Sequence, residues 1–126
     1  MAIFKENLTS KVLQRTSSLI INKSKKKLNI LEIGCGNGNI TKFIINKRKI
    51  NHNFFLSDIS LEAINISKKL INYKNCDFKV GKWLEPWEVK KFDIIISDIS
   101  SINDTIAKNS SWYNGVTCNA GKDGLK

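Results

Sequence analysis

Apolar positions fall into short clusters with two different periods. Leu28, Ile30, Leu31 and Ile33 form a nearly continuous run, as expected of a parallel strand buried on both faces. Ile40, Phe43 and Ile44 then recur at helical spacing and predict a helix from about residue 39 to residue 49. Asn53 to Ser57, NFFLS, reads as a second short strand, and Leu61, Ile64 and Leu70 as the apolar stripe of the next helix. Cys76 to Val80, CDFKV, gives a third strand, and Phe92 to Ser97, FDIIIS, gives the clearest buried strand after the first. Upstream, Phe4, Leu8 and Val12 recur every four residues, with Leu13 beside them and Leu19 and Ile20 further on. That spacing predicts one amphipathic helix that covers the core.

Between the first strand and its helix the pattern breaks into Gly34, Cys35, Gly36, Asn37, Gly38 and Asn39. Alternate glycines let the backbone take positive φ and approach a ligand where a Cβ would collide. A helix that opens directly behind such a turn points its unpaired N–H groups and positive dipole end into the crevice above the strand. A nucleotide-like ligand suits that crevice. A dinucleotide fingerprint would need a third glycine where Asn39 stands, and His52, the sole histidine, lies before the second strand. A nicotinamide oxidoreductase is therefore disfavoured.

The order of residues is E-x-G-x-G-x-G, and LEIGCGNGNI resembles the first motif of the class I S-adenosylmethionine-dependent methyltransferases. The resemblance implies an α/β fold, a Rossmann-like three-layer α/β/α sheet, with S-adenosylmethionine as cofactor. It also implies cofactor contacts from Glu32, Gly34, Cys35, Gly36 and Gly38. No metal is expected.

Asp58 lies 24 positions after Gly34 at the end of the second strand, where a carboxylate can accept from both hydroxyls of a ribose. SDISLEAINISKK resembles the family stretch in which this aspartate binds the adenosyl ribose and the next apolar residue, here Ile59, packs on adenine. A simpler role is also open: Asp58 and Ser60 can cap the following helix. After the third strand, Gly81 to Pro86 resembles the adenine-edge segment of the glutamine N5-methyltransferases that modify release factors. Lys82 stands where that pattern has an accepting aspartate, and a lysine cannot accept. Trp83 can lie against the purine, or it can join Trp87 in a small aromatic cluster.

Asp98 ends the fourth strand in D-I-S-S, where the resemblance has N-P-P-Y or D-P-P-Y. The acceptor side chain is kept, which implies a catalytic role for Asp98 in orienting the methyl acceptor. Ile99, Ser100 and Ser101 replace the prolines and the aromatic, so amide or base specificity does not carry over. A cap on a helix over residues 102–108 is the competing role.

A length of 126 residues allows one domain, divided as residues 1–27, a helix and basic linker, and residues 28–126, a partial cofactor-binding domain. Cys35, Cys76 and Cys118 form no C-x-x-C pair, and neither a secretory leader nor a membrane span is legible, so a cytoplasmic location is expected. The net charge of +10 is scattered apart from Lys23 to Lys27, KSKKK, which favours a solvated face over an RNA-binding patch.

The tail SSWYNGVTCNAGKDGLK reads as loop, with Trp112 and Tyr113 over the crevice or the sheet edge. The resemblance covers residues 28–104 and only four of the family's seven strands, in an order that makes strand four central. Its edge is then bare, which implies truncation, a homodimer or a missing C-terminal partner. Three classes stay open: a methyltransferase acting on a protein amide or other acceptor, a related enzyme acting on an RNA nitrogen, and a non-catalytic remnant or interaction subunit.

Overall fold

The computed structural model describes residues 8–88 and 90–98. Phe4, Ile99, Ser100, Ser101, the segment 102–108, Trp112, Tyr113 and Cys118 lie outside the described residues. The elements run α1 (Leu8–Asn22), β1 (Asn29–Ile33), α2 (Asn39–Lys47), β2 (Asn53–Asp58), α3 (Leu61–Leu70), β3 (Cys76–Val80), a 3₁₀ turn (Glu85–Trp87) and β4 (Ile94–Ser97). All four strands are parallel, in the order β3-β2-β1-β4. The α/β, Rossmann-like parallel sheet expected from the sequence is observed, and the three described helices all lie on one face of it, so the second helical layer of the expected three is not among the described residues. Because β2 and β4 flank β1 on opposite sides, the chain reverses direction across the sheet at β1. A crevice at the carboxyl ends of the strands is the usual consequence of such a switch.

The two faces of the sheet are closed differently. On one, Ile30, Phe54, Leu56 and Ile96 pack with Ile21 of α1, Ile40 and Ile44 of α2 and Ile64 of α3. On the other, Leu31 and Phe55 are covered by Trp87, with Phe92 and Ile33 at the margin. The Trp87 ring meets Phe55 edge-on at 5.5 Å and Phe92 at 6.1 Å, and Lys79 Nζ lies 4.9 Å from the centre of the Trp87 ring. Among the described residues, this face is covered chiefly by one tryptophan on a 3₁₀ turn and the opposite face by three helices. Of the two readings of Trp83, the aromatic cluster with Trp87 is not the one formed: Trp87 packs with Phe55 and Phe92, and Trp83 stands 44% exposed.

Two expectations are corrected. Leu8 and Val12 do not cover the core: they are exposed together with Leu19 and Ile20, while α1 buries Ser10, Gln14, Ser17, Ser18 and Ile21. Of the expected apolar face, only Leu13 packs against the core. Nor is β4 buried on both faces, because Ile95 is half exposed on the side away from the helices. Among the described residues, no helix is long and apolar enough to cross a membrane.

Candidate functional site

The glycine turn sits at the carboxyl end of β1 and is held from three sides. Gly34, Gly36 and Gly38 all have positive φ, at 70°, 58° and 88°. The Gly34 and Cys35 N–H groups both donate to the Ser57 carbonyl, at 2.8 and 3.0 Å, which fastens the turn to β2. From below, the buried Ser67 hydroxyl of α3 lies 2.8 Å from the Gly36 carbonyl and 3.0 Å from that of Ala63. A Cβ on Gly38, the residue that opens α2, would lie 3.0 Å from Ile71 Cδ1 and 3.1 Å from Ser67 Oγ. Ser67 is a supporting residue that the sequence pattern hid, since a serine inside a helix carries no periodic signal.

Asp58 joins three segments. Its Oδ2 accepts from Gly36 N–H and its Oδ1 from Ser60 N–H, both at 2.9 Å, while its carbonyl accepts from Gly81 N–H, also at 2.9 Å. Ser60 caps α3 itself, its side chain accepting from Ala63 N–H at 3.1 Å. The capping role and a ligand role are compatible, because a carboxylate offers about four lone-pair positions and these two bonds use half of them. Beside Asp58, Ile59 is 43% exposed, and Trp83, also exposed, follows two residues after Gly81, whose N–H is bonded to the Asp58 carbonyl. Trp83 holds a φ of 47°, in the left-handed region unusual for a bulky residue.

Glu32 is buried at the end of β1, where its Oε1 accepts from the Thr41 hydroxyl at 2.8 Å. Burial pushes its carboxyl up from 4.5 to about 8, and the negative charges of Asp98 and Asp58 push in the same direction. Three carboxyl groups therefore converge at the carboxyl ends of β1, β2 and β4. Among the described residues, none of the His, Cys, Asp or Glu side chains forms a group arranged to hold a metal ion.

Asp98 is buried directly after β4 and accepts from the Ser10 hydroxyl of α1 at 2.5 Å. Cys35 is placed otherwise than a ligand-facing side chain would be. Its Sγ lies in the helix-side core, 3.6 Å from Ser67 Oγ, and burial pushes the thiol's pKa up, so only its backbone belongs to the turn. Lys82 is exposed, as is its neighbour Trp83.

Known proteins are similar to this chain in sequence and in fold. A malonyl-[acyl-carrier protein] O-methyltransferase of Ilyobacter polytropus is 37% identical over 81 residues, which are 64% of this chain and 31% of that protein. A bifunctional methyltransferase of Rickettsia conorii is 31% identical over 121 residues, 89% of this chain and 23% of that protein. The chain thus spans less than a third of the length of these curated relatives.

Among solved structures, the plantazolicin methyltransferase BpumL, in complex with a triazolic desmethylPZN analog and SAH, is similar with a TM-score of 0.55 and 26% identity. That likeness covers 71% of this chain and 35% of BpumL. The ribosomal protein L11 methylase of Lactobacillus delbrueckii subsp. bulgaricus shares the fold with a TM-score of 0.58 at 20% identity, over 83% of this chain and 55% of that one. The family model described as a methyltransferase domain matches residues 24–124, a span that takes in all four strands, the glycine turn, Asp58 and Asp98, and the chain belongs to that family.

Proposed function

We propose that the crevice above β1 binds S-adenosylmethionine and that the chain presents its methyl group to an acceptor held beside Asp98. The observation that carries this reading is the Asp58 carboxylate, fixed by Gly36 and Ser60 N–H groups at the mouth of a turn whose three glycines all have positive φ. The residues suit the ligand. The turn leaves backbone space for the methionine portion, Asp58 retains acceptor capacity for ribose hydroxyls, and Ile59 and Trp83 offer apolar surface for an adenine ring.

When bound, S-adenosylmethionine supplies an already activated methyl on a sulfonium, so the protein's task is to bind and orient. Glu32, Gly34, Gly36 and Gly38 shape the binding side, and Cys35 contributes its backbone alone. Asp98 takes the acceptor's N–H or O–H as a hydrogen-bond donor, fixes the lone pair of that atom on the line of transfer, and can receive the proton at a carboxylate oxygen. This favours an acceptor with a protic nitrogen or oxygen. A protein amide or an RNA nitrogen remains the finer proposal, and the name of the Ilyobacter relative supports oxygen as well. A partner along β4 belongs to the same proposal, supported by the half-exposed Ile95 on a strand paired only with β1 among the described residues.

Calorimetric titration with S-adenosylmethionine and, separately, with NAD tests the reading. Binding of the first alone is expected, and Asp58→Ala should weaken it about 10- to 100-fold, since hydrogen bonds to a charged group contribute about 1.5–3 kcal/mol. A folded chain that binds neither ligand, or an Asp58→Ala variant with unchanged affinity, would overturn it.

A further inference from the structure

Helix α1 packs in an unusual sense. Its exposed side carries Leu8, Val12 and Leu19, while its buried stripe at helical spacing is Ser10, Gln14, Ser17 and Ile21, with Ser18 alongside. A helix that served only to cover the core would turn the leucines inward, because each buried apolar side chain contributes about 1.5–3 kcal/mol and a buried hydroxyl costs free energy unless it is bonded. The two ends of the buried stripe meet different surroundings. At the carboxyl end Ile21 enters the helix-side core. At the amino end Ser10, only 6% exposed, reaches across 88 positions of sequence to donate to Asp98 Oδ2 at 2.5 Å. Asp98 stands two residues beyond Ile96, whose register partner on β1 is Glu32, so this bond lies at the carboxyl edge of the central strand pair.

We infer that Ser10 is a positioning residue for methyl transfer: its hydroxyl holds the Asp98 carboxylate in the orientation that faces the transferring group, and α1 is thereby a wall of the acceptor side of the site. The inference rests on the proposed role of Asp98. Two features of the geometry support it. A carboxylate can rotate about its last bond, and a donor fixed on a packed helix removes that freedom at one oxygen. The inward polar stripe departs from the expected packing of α1, and at its amino end the bond to a buried acidic side chain accounts for the burial of Ser10.

The test needs no methyl acceptor. Sinefungin carries an amino-bearing carbon in place of the methylsulfonium, so its ammonium projects where the methyl would, whereas S-adenosylhomocysteine has nothing there. The ratio of the two affinities therefore reads how well a carboxylate faces that point. The full chain is titrated with both ligands as wild type, Ser10→Ala, Ser10→Thr, Asp98→Ala and the Ser10→Ala/Asp98→Ala double variant.

Wild type should prefer sinefungin. Asp98→Ala should lower that preference at least tenfold and Ser10→Ala about fivefold, the scale expected for loss of a supporting hydrogen bond. Ser10→Thr, which keeps the hydroxyl, should retain it within about twofold. In the double variant, loss of Ser10 should add nothing to loss of Asp98.

A preference that falls in Asp98→Ala but not in Ser10→Ala overturns this inference alone, as does a Ser10→Ala effect of full size in the Asp98→Ala background or a Ser10→Thr that behaves as Ser10→Ala. A preference unmoved by Asp98→Ala overturns the role of Asp98 and this inference together. A wild-type chain that binds neither ligand overturns the cofactor reading as well.

Discussion

Replacing Glu32 with Gln should change how stability responds to pH more than it changes stability itself. Glu32 is buried, bonded to the Thr41 hydroxyl, and its carboxyl is raised from 4.5 to about 8. Below pH 4.5 the group is protonated in both the folded and the unfolded chain, so it places no penalty on folding. Between 4.5 and about 8 the unfolded chain releases the proton while the folded chain keeps it, and stability falls as pH rises. Above about 8 both states are ionised and the loss levels off. At about 1.4 kcal/mol per pH unit, that window corresponds to a total of about 5 kcal/mol.

Gln does not titrate, and its carbonyl oxygen can accept from Thr41 as Glu32 Oε1 does. Urea unfolding at pH 5, 7 and 9 measures the difference, which includes the loss of repulsion between Glu32 and the charges of Asp98 and Asp58. The two should agree within about 1 kcal/mol near pH 5, and the Gln variant should lead by about 3–5 kcal/mol at pH 9. Parallel curves across that range would refute the assignment of Glu32 as a buried, protonated acid.

Two further outcomes are expected from the packing. Trp87→Ala should cost about 3–5 kcal/mol in urea unfolding, because it strips Leu31 and Phe55 of their cover. Trp87→Phe should cost much less, about 1 kcal/mol, since it keeps an aromatic face and removes an indole N–H that is buried without a partner among the described residues. Gly38→Ala combines a left-handed backbone at φ 88° with contacts of 3.0 Å to Ile71 and 3.1 Å to Ser67. It should lower stability by about 2–4 kcal/mol and weaken S-adenosylmethionine binding, as read by unfolding and by calorimetry.

Most of the backbone plan was legible because strands and helices here differ in the period of their apolar residues. The run from Leu28 to Ile33, NFFLS and CDFKV each mark their strand to within one residue, and the three glycines mark the turn between β1 and α2. What escaped was decided by partners distant in sequence. Leu8 and Val12 have the spacing of a core face, yet Ser10 has Asp98 to meet and the helix turns that way. Trp83 and Trp87 look alike in the sequence, but only Trp87 finds Phe55 and Phe92. Ser67 and Thr41 gave no sign of supporting Gly36 and Glu32, because a hydroxyl within a helix acquires a role only from what packs over it. Asp58 was legible at the start of the helix, and its bonds to Gly36 and Ser60 show how one side chain ties the turn to the helix start.

The pairing of β1 with β4 has a consequence for synthesis. Asn29 N–H donates to Asp93 at 2.7 Å across 64 positions of sequence, and the whole β1–β4 register is comparably remote. At about 5–20 residues per second, β1 leaves the ribosome roughly 3–13 s before its second neighbour is made. During that interval β1 can pair with β2, and β2 with β3, while the remaining edge of an apolar strand stays open to any other chain that offers one. Of the four described strands, the one made last is also the one that carries Asp98 into place. A nascent chain therefore forms its glycine turn before β4 brings Asp98 beside it, so a chaperone or partner that caps the β1 edge early would also delay the arrival of Asp98.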